Sequence, residues 1–499
     1  MSIRSKVFFG IAFALCLLMP STQSLWIDEA QTWVFSSIPT FGALFSDLAT
    51  TYKSEGLMPL GMLLPWLSIR VLGASEWQLR AMNILWAAAT VGAFFVLGRR
   101  WRMPWAPLFM AAQPFLWYYA NEARPYALQI AAASWLLVGL VTCVEDRRLG
   151  KASLLILLIS SAILIATVLF GILTVGPVCL LIAWLAWRER WPLCGGWKIA
   201  VALALVWNAL FGIYYLRAVM HGATGAKLWE VGMQNVAFGF YELLGMSGLG
   251  PSRYEIRELA RTEGIGGALH TFSLLSVLSL VALAISYVMA ATSLFGRGKK
   301  NRERRTLGII GGCAVASIGT LVVLAFVVHF PFWGRHMAPA FPFLCGLLIL
   351  ALRGLKARSR PLAAVVVPVL FVLFAMSSWA LRSWPRHGKD DYRAAAEIAR
   401  RAVKEGRVVW WCADLDTAHY YGLSMSAPPD LPGPLVFVNG SSAETLAAKP
   451  PPDFIVISKP DIFDTDGAVT EYAKQSGYYP SQRMNAFVVY ARPLVSRND

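Results

Sequence analysis

The chain has 499 residues, 57% of them hydrophobic and only 15% charged, where an average soluble protein carries roughly 25% charged residues. That composition excludes an ordinary water-soluble protein. The formal charge of +16 is no nucleic-acid footprint: residues 385–499 hold 13 basic and 14 acidic side chains, and the basic excess sits in short clusters between apolar runs. No nucleic-acid partner is expected, because basic clusters in short loops are a membrane-topology signal.

Residues 1–24 have a basic start and an apolar stretch. They are read as a first transmembrane helix that is retained rather than as a cleaved leader, since no A-x-A site precedes Leu25. Further apolar runs follow at about 78–97, 104–119, 127–144, 153–169, 172–187, 199–216, 271–294, 307–328, 337–352 and 361–381. With the first helix they predict about eleven spans. Basic clusters at 4–6, 99–102, 147–148, 188–190, 297–305 and 353–360 fall on alternate connections, so all lie on one side, assigned to the cytoplasm. The long segments 25–77 and 217–270 then face the other side. Residues 57–71, interrupted by Pro59, Pro65 and Arg70, read as a helix lying in the interface.

After Trp384 the pattern changes. Helical periodicity over 391–406, ending in Gly406, is followed by short β-rich runs at 408–412, 435–438, 454–457 and 486–490, with a further helix near 471–476. The expected organisation is an all-α polytopic membrane bundle over 1–384, with a small extramembrane α/β domain over 385–499. The seven cysteines show no C-x-x-C pair and no zinc spacing, and no disulfide framework is predicted.

Three clusters of ionisable residues lie on the external side, where charges at the mouth of an apolar bundle are costly and hence candidates for function. In the first, Asp28 and Glu29 follow Trp26. They are candidate general bases, and equally they could serve the N-terminal dipole of a helix from Ile27. In the second, Tyr118 to Tyr126, Glu122 and Arg124 occupy a very short turn before Pro125. A carboxylate and a guanidinium there could orient an anionic or hydroxyl-rich ligand, or form a local ion pair. In the third, Arg335 and His336 stand at a helix start and suit a phosphate, or an aromatic-anchored interfacial arginine. Lys53 and Glu55, in the first external segment, are expected to be solvated surface residues, with a polar contact to substrate as the alternative.

The order and spacing of W-I-D-E-A-Q-T-W at 26–33, S-E-W-Q-L-R-A at 75–81, N-E-A-R-P-Y-A-L at 121–128, R-H-M-A-P-A-F-P at 335–342 and D-Y-R-A-A-A at 391–396 resemble the GT-C membrane glycosyltransferases. The resemblance is to the bacterial branch related to protein O-mannosyltransferases and lipid A aminoarabinose transferases. It implies a GT-C-type bundle and transfer of a sugar from a polyprenyl-phosphate donor to a lipid or glycan acceptor. The transfer would take place at the external face of a bacterial plasma membrane, with membrane lipids as surroundings. By position it implies Asp28, with Glu29 beside it, at or next to the base, and Glu122 as the second acidic residue with Arg124 and Tyr126 as its neighbours. Arg335 and His336 fall to substrate binding at the lipid phosphate; Lys53 is added as a substrate-binding candidate from its place beside the Gly56 to Leu60 segment and not from the resemblance. Many relatives carry a His-Pro-Pro-like segment where this chain has Gly56 to Leu60 without a histidine. No metal or other cofactor is therefore expected, with a divalent ion as the open alternative. A transporter or flippase for a lipid-linked sugar, or a non-catalytic scaffold, are the competing classes. The first would predict repeats and charges along a path through the bilayer.

Overall fold

A computed structural model describes residues 3–223, 232–256, 272–294, 301–330, 332–423 and 433–492. Residues 224–231 and 257–270 of the expected external segment 217–270, the 297–300 part of one basic cluster, and Pro331 of the third motif lie outside the described residues. The chain divides into two compact units. One comprises residues 1–21 and 35–387, the other residues 22–34 and 388–499.

The first unit is a helical bundle in which all but one of the predicted apolar runs form single helices. Seven of the described helices are long and apolar enough to cross a membrane: Glu76–Trp101, Tyr126–Asp146, Leu169–Arg188, Trp197–Met220, Leu274–Thr292, Glu303–Val328 and Arg360–Ser383. Three more, Ile3–Leu17, Lys151–Thr167 and Phe341–Arg358, coincide with predicted spans. The run at 104–119 is the exception, breaking into helices Ala106–Ala111 and Pro114–Ala120. Pro114 has no N–H to donate and its ring clashes one turn back, which ends the first helix. The freed Ala112 carbonyl accepts the Ser378 hydroxyl at 2.9 Å, so the interrupted backbone is satisfied inside the protein.

Burial differs sharply among the helices. The apolar window of Tyr126–Asp146 is 89% buried, that of Trp197–Met220 only 11%. The first is the hub of the bundle. The second exposes Ile199, Leu203, Leu210 and Ile213, a surface suited to lipid and unsuited to water. At one end of the bundle Arg100 pairs with Glu145 and Asp146, Arg305 with Glu189, and Arg353 with Glu303. Basic clusters from separate connections thus meet one another's acidic neighbours, as expected if they share a side.

In the second unit, helix Tyr392–Lys404 is capped by Asp391 and packs on a five-stranded sheet in the order β2-β1-β3-β5-β4. The strands are β1 (Val409–Cys412), β2 (Leu435–Phe437), β3 (Phe454–Ser458), β4 (Tyr479–Met484) and β5 (Phe487–Ala491). Strands β2, β1 and β3 run parallel, whereas β5 and β4 are antiparallel. Strand β4 was not expected. Its sequence YPSQRM is mostly exposed and lacks an apolar face, and it forms by pairing with β5 at the sheet edge. Asp414 caps helix Leu415–Tyr420 by accepting from the Thr417 N–H at 2.8 Å.

Candidate active site

The bundle gathers two of the three predicted clusters around a pair that the sequence reading did not single out. Helix Met233–Leu243 carries Glu242, which is 5% exposed. Its Oε1 accepts from Arg253 Nη2 at 2.6 Å and from Nε at 3.2 Å, and its Oε2 accepts from the Gly334 N–H at 3.2 Å. Gly334 is required there, because a Cβ would run into the Glu242 carboxylate. The Arg253 guanidinium lies 5.3 Å from the Tyr118 ring centroid, 5.6 Å from that of Trp333 and 6.0 Å from that of Phe238. Each distance is within reach of a cation–π attraction. Burial opposes the charge of Arg253. The Glu242 carboxylate, with Tyr118, Tyr119 and Glu122 beyond it, outweighs that and holds its pKa well above the ordinary arginine value. Arg253 is therefore a permanent cation joining the 118–126 turn to the 332–337 segment.

Glu122 is 1% exposed. The turn that carries it is held by Asn83, whose amide donates to the carbonyls of Ala120 at 3.2 Å and Glu122 at 2.5 Å. Arg124 donates from Nη1 to Glu55 Oε1 at 2.8 Å, with side chains 2% and 5% exposed. The expectation that Glu55 is a solvated surface residue is thus corrected: the 3-10 turn Ser54–Leu57 tucks it inward. Pro125 ends the turn against Gly61, where an added Cβ would sit 2.8 Å from the proline ring. Tyr126 begins the hub helix, its ring 5.1 Å from that of Tyr119. Lys53 is half-buried and precedes the Ser54–Leu57 turn.

Arg335 and His336 lie in the short 3-10 helix Gly334–Met337. His336 turns its Nδ1 back to accept the Trp333 N–H at 3.1 Å, and its ring stands edge-on to Phe330 and Phe170. With Nδ1 accepting, the neutral imidazole carries its proton on Nε2. The structure therefore brings Tyr118, Glu122, Glu242, Arg253, Trp333 and the base of the Arg335–His336 turn into one network. Glu242 and Arg253 escaped the sequence reading because they lie in a segment taken as a bulk external loop. An isolated acid in the apolar run NVAFGFYELLG was the signal available.

Asp28 and Glu29 belong to the second unit. Both lie in the first turn of helix Ile27–Ser37, and they differ in environment. Glu29 is fully buried and pairs with Lys389 Nζ at 2.9 Å, whereas Asp28 is half-exposed on the adjoining face. Among the described residues no three His, Cys, Asp or Glu side chains come together as a metal-binding group.

Comparison with solved structures finds ArnT from Cupriavidus metallidurans in the apo state, at 17% identity and TM-score 0.51, covering 97% of each chain. The chain has the GT-C fold. A second similar structure is the arabinofuranosyltransferase AftD from Mycobacteria, at 13% identity and TM-score 0.41. It covers 98% of this chain, which spans 42% of the AftD chain. Comparison with protein-family models and with curated protein sequences finds no match. The ArnT-like GT-C fold accounts for both units at once, since the similarity runs over nearly the whole length and so includes the sheet-containing unit as well as the bundle.

Proposed function

We propose that the protein is a membrane glycosyltransferase that moves a sugar from a polyprenyl-phosphate donor to the hydroxyl of a lipid or glycan acceptor. The reading places it in a bacterial plasma membrane, with the α/β unit on the external side. The observation that carries it is the ion pair of the buried Glu242 with the half-buried Arg253, set against the Tyr118 and Trp333 rings with the buried Glu122 carboxylate acting on the same guanidinium, in a GT-C fold. A soluble enzyme would have little use for such a network beneath apolar helices, whereas a lipid-linked anionic substrate needs fixed cations and a groove for its tail.

In this reading Asp28 removes the proton from the acceptor hydroxyl. The oxygen attacks the anomeric carbon opposite the phosphate, the carbon–oxygen bond to phosphate breaks, and polyprenyl phosphate leaves with the electron pair, inverting the centre. Arg335 and Lys53 as cations, with the His336 Nε2–H as a neutral donor, stabilise the phosphate as its charge develops. Glu122 orients the sugar or acceptor hydroxyls. Arg124, tied to Glu55, and Tyr126, edge-to-face with Tyr119, hold the turn that presents Glu122. No step is routed through a metal.

The test uses purified protein in lipid with a panel of polyprenyl-phosphate sugars and a membrane-lipid and glycan extract, following transfer by mass spectrometry. Wild type should transfer sugar, and Asp28→Asn should lose about 10²- to 10⁴-fold in rate, the usual contribution of a general base. Equal rates for the two proteins would remove Asp28 from the chemistry. Tight binding of donor with no consumption would overturn the enzyme reading.

A further inference from the structure

The segment that carries Asp28 is folded as part of the α/β unit. Arg393 donates from Nη2 to the Thr22 carbonyl at 2.6 Å, and its backbone N–H donates to Ser24 Oγ at 3.2 Å. The Leu25 N–H donates to Tyr421 Oη at 2.7 Å. Lys459 stands 5.6 Å from the centre of the Trp26 ring while it pairs with Asp390. Ile27 packs against the apolar cluster built around Tyr392 and Trp411. Gln31 donates to Asp416 at 2.5 Å, and the Trp33 ring meets those of His419 and Tyr420. From Thr22 to Trp33 nearly every turn of the segment is held.

At the centre of these contacts the two adjacent carboxylates part company. Successive residues of an α-helix project about 100° apart, so the two carboxylates meet different surroundings, Asp28 half-exposed and Glu29 buried. Glu29 is the anchored one, buried against Lys389. Lys389 is itself set in place by its neighbours: Asp390 pairs with Lys459, and the Asp391 N–H donates to the Asn485 carbonyl at 3.0 Å while its side chain caps the next helix.

We propose that the α/β unit is a positioning domain for the Asp28 carboxylate, and that Lys389, through its ion pair with Glu29, sets the rotational phase of the helix that presents Asp28. Glu29 is then a positioning residue rather than a second base. The inference rests on Asp28 being the base, and it extends that reading by giving the α/β unit a part in turnover.

The experiment uses the full-length protein in lipid and two readouts. The first, independent of chemistry, is the labelling rate of Asp28→Cys by a membrane-impermeant maleimide, alone and combined with Lys389→Met or Lys389→Arg. The second is turnover of the polyprenyl-phosphate sugar panel by the same Lys389 variants with Asp28 intact. Lys389→Met should change the labelling rate and lower turnover by about a hundredfold, the cost of misplacing a reacting group by about 1 Å, with donor KM little altered. Lys389→Arg should restore most of both. Glu29→Gln should match Lys389→Met, and the double variant should lose no more than either single one, since both remove the same pair. Labelling and turnover unchanged in Lys389→Met would overturn the proposal. So would a change in acceptor KM alone, which would make the unit a binding module. If Asp28→Asn retains full turnover while Lys389→Met still alters labelling, the base assignment fails and the positioning role stands. Should Lys389→Met not reach the membrane, Glu29→Gln is read by the same two criteria.

Discussion

Two short segments of this chain carry candidate carboxylates, and both are secured by a buried ion pair, but to different things. The 118–126 turn is held by the bundle: Arg124 reaches Glu55, Asn83 grips the backbone, and Pro125 fits against Gly61. The 22–34 segment is held by the α/β unit, through Lys389 to Glu29 and Tyr421 to the backbone at Leu25. The first anchor is made within the membrane-embedded helices and their connections. The second is made by a unit with its own polar surface and sheet. Desolvated ion pairs add little net stability, yet removing one partner is costly, so they report where geometry rather than stability is being held.

The largest effect expected from breaking this contrast is at Arg124. Arg124→Met leaves Glu55 buried without its guanidinium and should destabilise the bundle by about 3–5 kcal/mol, measured as a drop in thermal midpoint in detergent. The combination of Arg124→Met with Glu55→Leu should recover most of the stability while turnover stays low. Recovery of turnover as well would mean that the pair holds nothing of functional importance. A smaller effect tests the other anchor. Tyr421→Phe removes the acceptor of the Leu25 N–H and should cost about 0.5–1.5 kcal/mol, appearing as faster proteolysis near residues 22–26 and leaving the bundle's midpoint unchanged. A fall in the bundle's midpoint alongside the faster cleavage would erase the distinction between the two anchors.

The last effect, absent at neutral pH and appearing only on acidification, is a pH dependence confined to the bundle unit. Burial pushes the His387 pKa down to about 4, the neighbouring Arg386 adding to this against the Gly248 carbonyl and Glu255. Above about pH 6.5 His387 is neutral in the folded and unfolded states alike. As pH falls from there through about 4, the unfolded chain takes up a proton that the folded one refuses, and stability is lost across that window. His387→Gln should flatten this part of the stability curve. An unchanged slope would assign it to other groups.

Much of this was legible in the sequence, for physical reasons that differ by element. Long apolar runs bounded by charge specify helices almost unaided, and the structure adds the caps, Gln78 accepting from the Ser75 N–H and Ser359 from the Leu362 N–H. The break at Pro114 was hidden because the run around it is continuously apolar; only the partner hydroxyl of Ser378, far along the chain, makes it tolerable. Strand β4 was invisible because its stability lies in pairing rather than in its own side chains. At the candidate site, Glu122, Arg124, Arg335 and His336 stood out in the sequence as ionisable residues in tight apolar surroundings. Glu242 and Arg253 became visible only through Gly334 and the Trp333 ring, and the separate fates of Asp28 and Glu29 only through Lys389.

Glu29 and its lysine partner are 360 positions apart. At about 5–20 residues per second, a ribosome needs roughly 20–70 s to travel that distance. Throughout that interval the acidic pair has left the exit tunnel and its clamp has not yet been made. A nascent or truncated chain therefore lacks the Glu29–Lys389 pair until the stretch from Gly388 onward has been translated, so the last-made unit completes the fold of one of the first-made segments.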